Sequence, residues 1–385
     1  MYELDNAQRG YFGLEPVGDD WARLVFPATA YRPESIVYFD GDIIKKHILS
    51  TDKEYKELQY HEPTRERVML LPKTAKGKEQ KLSASTLESR TAIGVYLNVQ
   101  HYGMLQLGHM DAQTTFYNSL WEYAPVEHMP ISEQVERFIK DSPANHLEQI
   151  AAFKAQKRQR CKFKKGDYFR FKLDRTRFGF GRVLSNIGKL RESATAGAAH
   201  GLFRLMGMPA LVQLFVFASP NKQVDLAVLK QQPVLPASMM MDNALLYGEY
   251  EVFAHEPIAD ALYDVPAWIH ANADEVSLGW GLVFIQMNRA AFETKASSSL
   301  VKLMTSDLFS NPSIAFRPQY ANFEIVSSLR SGALSIQNQY WDVDLRNPKW
   351  AQARAEIFAI FGLGAGKSYA ENCKAVGLPL PSELP

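Results

Sequence analysis

The chain has 385 residues, of which 46% are hydrophobic and 22% charged, and that combination excludes a peptide, a long disordered tail and a collagen-like repeat. Lys and Arg number 43 against 42 Asp and Glu, a formal net charge of +1, so no global field draws the molecule to nucleic acid or to an anionic membrane. The two cysteines, Cys161 and Cys373, are too far apart for a CxxC pair or a disulfide framework, which fits a reducing compartment.

Residues 1–10 carry Glu3 and Asp5 and no apolar run, so no signal peptide is expected there. Residues 11–14, 22–26 and 35–39 read as short strands, and Asp40-Gly41 between two apolar runs predicts a hairpin, because glycine accepts the positive φ of a tight turn. Residues 63–90 are polar and Lys-rich and read as an exposed loop or irregular segment; residues 91–99 return to strand composition. Helices are expected near Ser132, with Val135, Phe138 and Ile139 on one face, and after Pro143, carrying Leu147, Ile150 and Ala151.

From Lys162 the pattern alternates, and residues 168–173 and 178–184 predict two strands joined at 174–177. Residues 211–217, 224–229 and 250–254 read as further strands, with a helical insertion at 194–205. The most apolar stretch, 205–218, is about 14 residues long and contains Gln213, short of the ~20 needed to cross a bilayer. Residues 282–287 and 321–326 read as strands and the last forty as helices. The fold class expected is α+β in three regions: an N-terminal α+β region (1–150), a β-rich domain built on a bent antiparallel sheet or small barrel (151–275), and a C-terminal extension ending in helices (276–385).

Several motifs reduce to structure. The run from Gly362 to Ser368 resembles a phosphate-cradling loop but lacks a glycine at Phe361 and opens no α/β domain. Asn347-Pro348 instead starts a helix, Gly362 stops it, and Ser368 with Glu371 is a capping box for a last helix ending at Gly377. Asp40 with Asp42, and Asp342 with Asp344, have the spacing of a cation site without further ligands; the first pair reads as a hairpin turn and the second as the exposed face of a strand. Nine scattered histidines form neither HxH nor HExxH, and Ser299 with Lys302 has no companion motif, so no catalytic residue, metal or cofactor is assigned.

One local feature stands out. Between Lys154 and Arg182 there are twelve Lys or Arg and only Asp167 and Asp174, interleaved with aromatic residues. Such a stripe could meet phosphates or an acidic protein. The preferred reading places the aromatics on the core face of a hairpin and the cations on its solvated face.

Phe163, Gly166, Asp167 and the alternation Tyr168-Phe169-Arg170-Phe171-Lys172-Leu173, followed by Phe178-Gly179-Phe180-Gly181-Arg182-Val183, resemble the opening hairpin of the bacterial immunity protein 26 family, found beside polymorphic toxin genes. A second block, Met241 to Leu245, then Gly248, Tyr250, Val252, His255, Pro257 and Pro266, is similar to that family's later strand and closing proline. The resemblance covers residues 160–270. It implies a cytoplasmic, non-enzymatic protein that neutralises a cognate toxin, usually a nuclease or another intracellular poison, by stoichiometric binding. A partner surface is expected around Asp40 and Asp42, or else on Arg170, Arg175 and Arg177, the first being preferred. The alternatives are a nucleic-acid-binding module using the stripe 154–182 and an enzyme that reverses toxin damage.

Overall fold

The computed structural model describes residues 2–74, 76–122, 128–192, 207–310, 318–336 and 340–383. The chain divides into two compact units, Met1–Arg160 and Cys161–Pro385. Antiparallel sheets and helices occur in both, so the fold is α+β.

The first unit contains α1 (Asn6–Tyr11), β1 (Ala22–Phe26), β2 (Ser35–Asp40), β3 (Ile43–Ser50), β4 (Glu54–Arg65), β5 (Met69–Leu70), β6 (Gln80–Lys81), α2 (Ala84–Glu88), β7 (Ile93–Gln100), β8 (Met104–His109), β9 (Thr114–Asn118), α3 (Ile131–Lys140) and α4 (His146–Lys154). Strands run in the order β1-β2-β3-β4-β7-β8-β9, with β5 on β4 and β6 on β5. Period-two alternation buries both faces of β2. Ile36 and Tyr38 join Phe12, just past α1, and Val135, Phe138, Ile150 and Phe153 of α3 and α4, while Val37 and Phe39 join Leu70, Leu82 and Leu87 of the 63–90 excursion. That excursion is therefore not a plain exposed loop: three leucines spaced along it pin it to the sheet, leaving its lysines outside. The hairpin at Asp40 is as expected, with Gly41 at φ +57°. Residues 6–11 form a helix where 11–14 read as a strand, because Asp5 and Gln8 make a capping box that starts it.

The second unit contains β10 (Asp167–Lys172), β11 (Phe178–Asn186), α5 (Ile187–Glu192), β12 (Pro209–Ser219), α6 (Leu226–Lys230), β13 (Ser238–Met241), α7 (Asn243–Leu246), β14 (Glu251–His255), β15 (Ala267–Ala271), β16 (Glu275–Trp280), β17 (Val283–Asn288), α8 (Arg289–Lys295), α9 (Ser298–Leu303), α10 (Asp307–Ser310), α11 (Pro318–Ser331), α12 (Ala351–Ile360) and α13 (Tyr369–Ala375). A five-stranded antiparallel sheet, β13-β12-β11-β10-β14, is open at β13 and β14, so of the two expected forms the chain takes the sheet. Register shifts at Tyr168/Phe169, Gly179/Gly181 and Val183/Ser185 bend it. Strands β15-β16-β17 form a second sheet under α8, α9, α10, α12 and α13. The helical insertion expected at 194–205 lies outside the described residues.

Two strands read from the sequence are helices. Residues 226–230 form α6 because Asp225 caps Ala227 N–H. Residues 321–326 lie inside α11, where Asn322, Phe323, Glu324 and Ile325 are all buried, so no periodicity marks a solvent face. Asn322 Nδ2 donates to the carbonyls of Lys172 and Leu173 at 3.1 Å each, tying that helix to the end of β10.

Candidate functional site: the charged aromatic face of the five-stranded sheet

The sheet of the second unit is buried on both sides. Phe169, Phe171, Val183, Val212, Leu214 and Val216 form one face with Tyr250 and Ile325. Gly179 and Gly181 make this packing possible: a Cβ on Gly179 would stand 2.6 Å from the Phe171 ring, and one on Gly181 2.5 Å from Phe169 and 2.7 Å from Leu214. The other face holds Tyr168, Phe180 and Phe215 against Leu229 of α6.

The cations follow the same alternation, and here the sequence expectation needs correction. Arg170 and Arg182 share the face of Tyr168 and Phe180 rather than a solvated face of their own, and they are 7% and 6% exposed. A guanidinium tolerates this when its fork is engaged and its plane is stacked. Arg170 Nε donates to Glu251 Oε2 at 3.0 Å, Nη2 to Glu251 Oε1, and Nη1 to the Lys222 carbonyl at 2.8 Å; its Cζ lies 5.5 Å over the Phe253 ring. Arg182 donates to Gln213 Oε1 from Nε at 3.1 Å and Nη2 at 2.6 Å, and lies 5.6 Å over Phe215. The hydrogen bonds from Arg170 hold the Glu251 carboxyl below the usual carboxylate range. The stripe thus splits into buried Arg170 and Arg182 and an exposed set, among them Lys157, Arg160, Lys162 and Lys164.

The loops at the rim are ordered by short polar contacts. Asp174 accepts from the N–H groups of Thr176 and Arg177 and from Arg177 Nε at 2.6 Å, which closes the β10–β11 turn. At the other end of β10, Asp167 Oδ2 accepts from the Lys164 N–H at 2.8 Å while Oδ1 meets His255 Nδ1 at 2.8 Å. Gly166 between them has φ +90°, and a Cβ there would fall 2.2 Å from the Glu256 carbonyl oxygen, so only glycine fits.

Of the other residues singled out in the sequence, Asp40 and Asp42 lie exposed at the β2–β3 tip, where Arg67 Nε donates to the Gly41 carbonyl at 2.8 Å and stands 3.7 Å from Asp42. Asp342 and Asp344 are not on a strand. A 3-10 turn at Trp341–Val343 sends them apart: Asp342 pairs with Lys349 at 2.6 Å in solvent, and buried Asp344 pairs with Arg346 at 2.7 Å. Ser299 and Lys302 lie on the exposed side of α9. Gly362 (φ +79°) stops α12, and Ser368 caps α13 through Glu371, so the glycine-rich run is a helix-to-helix connection. Glu251 and Lys222 were not singled out. Their roles follow from the pairing of β10 with β14 and from the loop after β12, contacts across 81 and 52 positions of sequence.

The face thus joins an arginine–glutamate pair, an arginine–glutamine pair and stacked rings on one antiparallel sheet. Residues 164–273, 110 of the chain's 385, match the family model described as Immunity protein 26, a family of immunity proteins in polymorphic toxin systems. That span takes in β10 to β14 and all the contacts of the charged aromatic face described above. No curated protein and no solved structure matches the chain. Among the described residues, no helix is long and apolar enough to cross a membrane.

Proposed function

We propose that the chain acts in the cytoplasm as an immunity protein that neutralises a cognate polymorphic toxin by direct, stoichiometric binding. The observation that carries the reading is the family match over 164–273, which coincides with a sheet whose two buried arginines are engaged internally, Arg170 by Glu251 and Arg182 by Gln213. Inhibition of this kind requires no catalytic group. An interface of about 1,600 Å² with a few aromatic and arginine anchors gives tight binding. Arg170 serves the scaffold, since its fork is held by Glu251 and the Lys222 carbonyl. The contact residues of the proposal are then the exposed Asp40 and Asp42 at one tip, or the half-buried Arg175 and Arg177 at another.

The test is co-expression with the protein encoded beside this chain's gene. Growth rescue with formation of a complex is the expected result; a toxic neighbour with no rescue, or a harmless one, contradicts the reading.

A further inference from the structure

Sheet edges in this chain differ in how they are closed. In the first unit β1 and β9 end the strand order, and in the five-stranded sheet β14 is an end. β9 and β14 each join their neighbour through a register shift, at Leu107/Gly108 and at Tyr168/Phe169, and such a shift twists an edge away from further pairing. β1 has none: Ala22 to Phe26 pair one to one with Phe39 to Ser35. Among the described residues no strand lies on its other side, so every second residue of β1 points its N–H and C=O outward. Leu24 shares the face of Val37 and Val25 that of Ile36, and both are exposed.

The two ends of this edge carry different chemistry. β1 is antiparallel to β2 with Ala22 opposite Phe39, so Asp19 and Asp20 before β1 stand at the same end as Asp40 and Asp42, and all four are exposed. At the other end the connection 27–34 holds Tyr31 95% exposed on an ordered turn. Thr29 Oγ1 accepts from the N–H groups of Tyr31 and Arg32 at 3.3 and 3.1 Å, and Arg32 pairs with Glu88 at the end of α2. A fixed turn that keeps an aromatic ring in water forgoes the burial such a ring normally supplies, and tyrosine is a frequent anchor at interfaces.

We propose that an extended segment of the toxin adds to β1 as a further strand, covering Leu24 and Val25, seating Tyr31 in the toxin and setting Lys or Arg of the segment against Asp19, Asp20, Asp40 and Asp42. The proposal deepens the immunity reading and rests on it, and it extends the contact expected at the Asp40 tip along the sheet edge. Open backbone groups call for a polypeptide, and four carboxylates repel phosphates, so nucleic acid and an anionic lipid surface are poor occupants. A second copy of this chain is also a poor one. Paired antiparallel about Leu24, it would set its own 27–34 turn against the carboxylates, and that turn brings Glu34 and a single cation, Arg32, already paired with Glu88.

The test uses the full chain and the product of the neighbouring gene. Amide hydrogen exchange should show residues 22–26 gaining protection when that protein is added. The double variant Leu24→Lys, Val25→Lys, which places charge on exposed edge positions, and Tyr31→Ala should each weaken the complex at least about tenfold, while Leu147→Lys, at an exposed site on α4, should bind as wild type. Asp19→Asn with Asp20→Asn should flatten the salt dependence of binding. Equal binding by a double lysine variant with a wild-type melting curve, or a complex without added protection at 22–26, removes this surface and leaves the immunity reading standing. Should that variant unfold, the exchange result on the wild-type chain decides alone. A wild-type chain that sediments as a dimer by itself, with the dimer lost in the double lysine variant, overturns the proposal in favour of a second copy. Failure of the wild-type chain both to bind and to rescue overturns the immunity reading and this surface with it.

Discussion

The two units put charge inside themselves in different ways. In the first, Glu57 and Lys46 are fully buried and Arg9 is 3% exposed. One carboxylate receives Arg9 Nε at 3.1 Å, Lys46 Nζ at 2.9 Å and the Tyr55 hydroxyl at 2.5 Å. Burial drives the Lys46 pKa down and the Tyr55 pKa well up, so both groups are held by their partners rather than by water. In the second unit the Arg170–Glu251 pair is buried at one end and half open at the other. A charge sealed on all sides has one use, which here is to fix α1 against β3 and β4. A charge at a rim keeps its internal bond and still projects a field into solvent.

The largest effect should come from the sealed network. Glu57→Gln leaves Arg9 and Lys46 buried without their shared anion and should cost on the order of 3–5 kcal/mol, read as loss of amide protection in β3 and β4. A cost under about 1 kcal/mol would show that water reaches the network and would dissolve the contrast.

Next is the acid limb of the first unit. Burial pushes His47 down to about 4, while its Nε2 meets Ser35 Oγ at 2.9 Å. Its folded pKa lies below the unfolded value, so the stability it contributes is complete above about 6.5 and is lost as the pH falls towards 4. Up to about 3 kcal/mol is involved. Melting followed between these pH values should steepen downward in wild type and flatten in His47→Gln; identical slopes would remove His47 as the cause.

Gly181→Val should cost about 1–3 kcal/mol in the second unit, since the new side chain meets Phe169 and Leu214. An unchanged melting temperature would mean that the face can open, and with it the claim of a rigid scaffold would fall.

The smallest effect belongs to the rim. Glu251→Gln removes an exposed partner while Arg170 keeps the Lys222 carbonyl and Phe253, so about 1 kcal/mol or less is expected by urea denaturation. A loss as large as that of Glu57→Gln would make the two regions alike.

How much of this was legible in the sequence depended on how local the cause was. The Asp40-Gly41 turn, the alternation of β10 and β11, the stop at Gly362 and the Ser368–Glu371 capping box are written within a few residues each, and the structure has them as read. Residues 321–326 were misread because four consecutive buried residues, Asn322 to Ile325, hide the periodicity that identifies a helix. The stripe was legible as composition and illegible as geometry. Whether Arg170 faces water or Glu251 is decided by the register of β10 on β14, and Lys222 gains meaning only where its loop returns to Phe178.

The most direct measurement of the central claim is a titration of the neighbouring toxin's activity with this chain at toxin concentrations far above the dissociation constant. Binding inhibition gives a linear loss of activity that ends at one chain per toxin, with a stable complex on gel filtration. Abolition of toxicity by a small fraction of an equivalent, with no complex, would contradict the account and point to an enzyme.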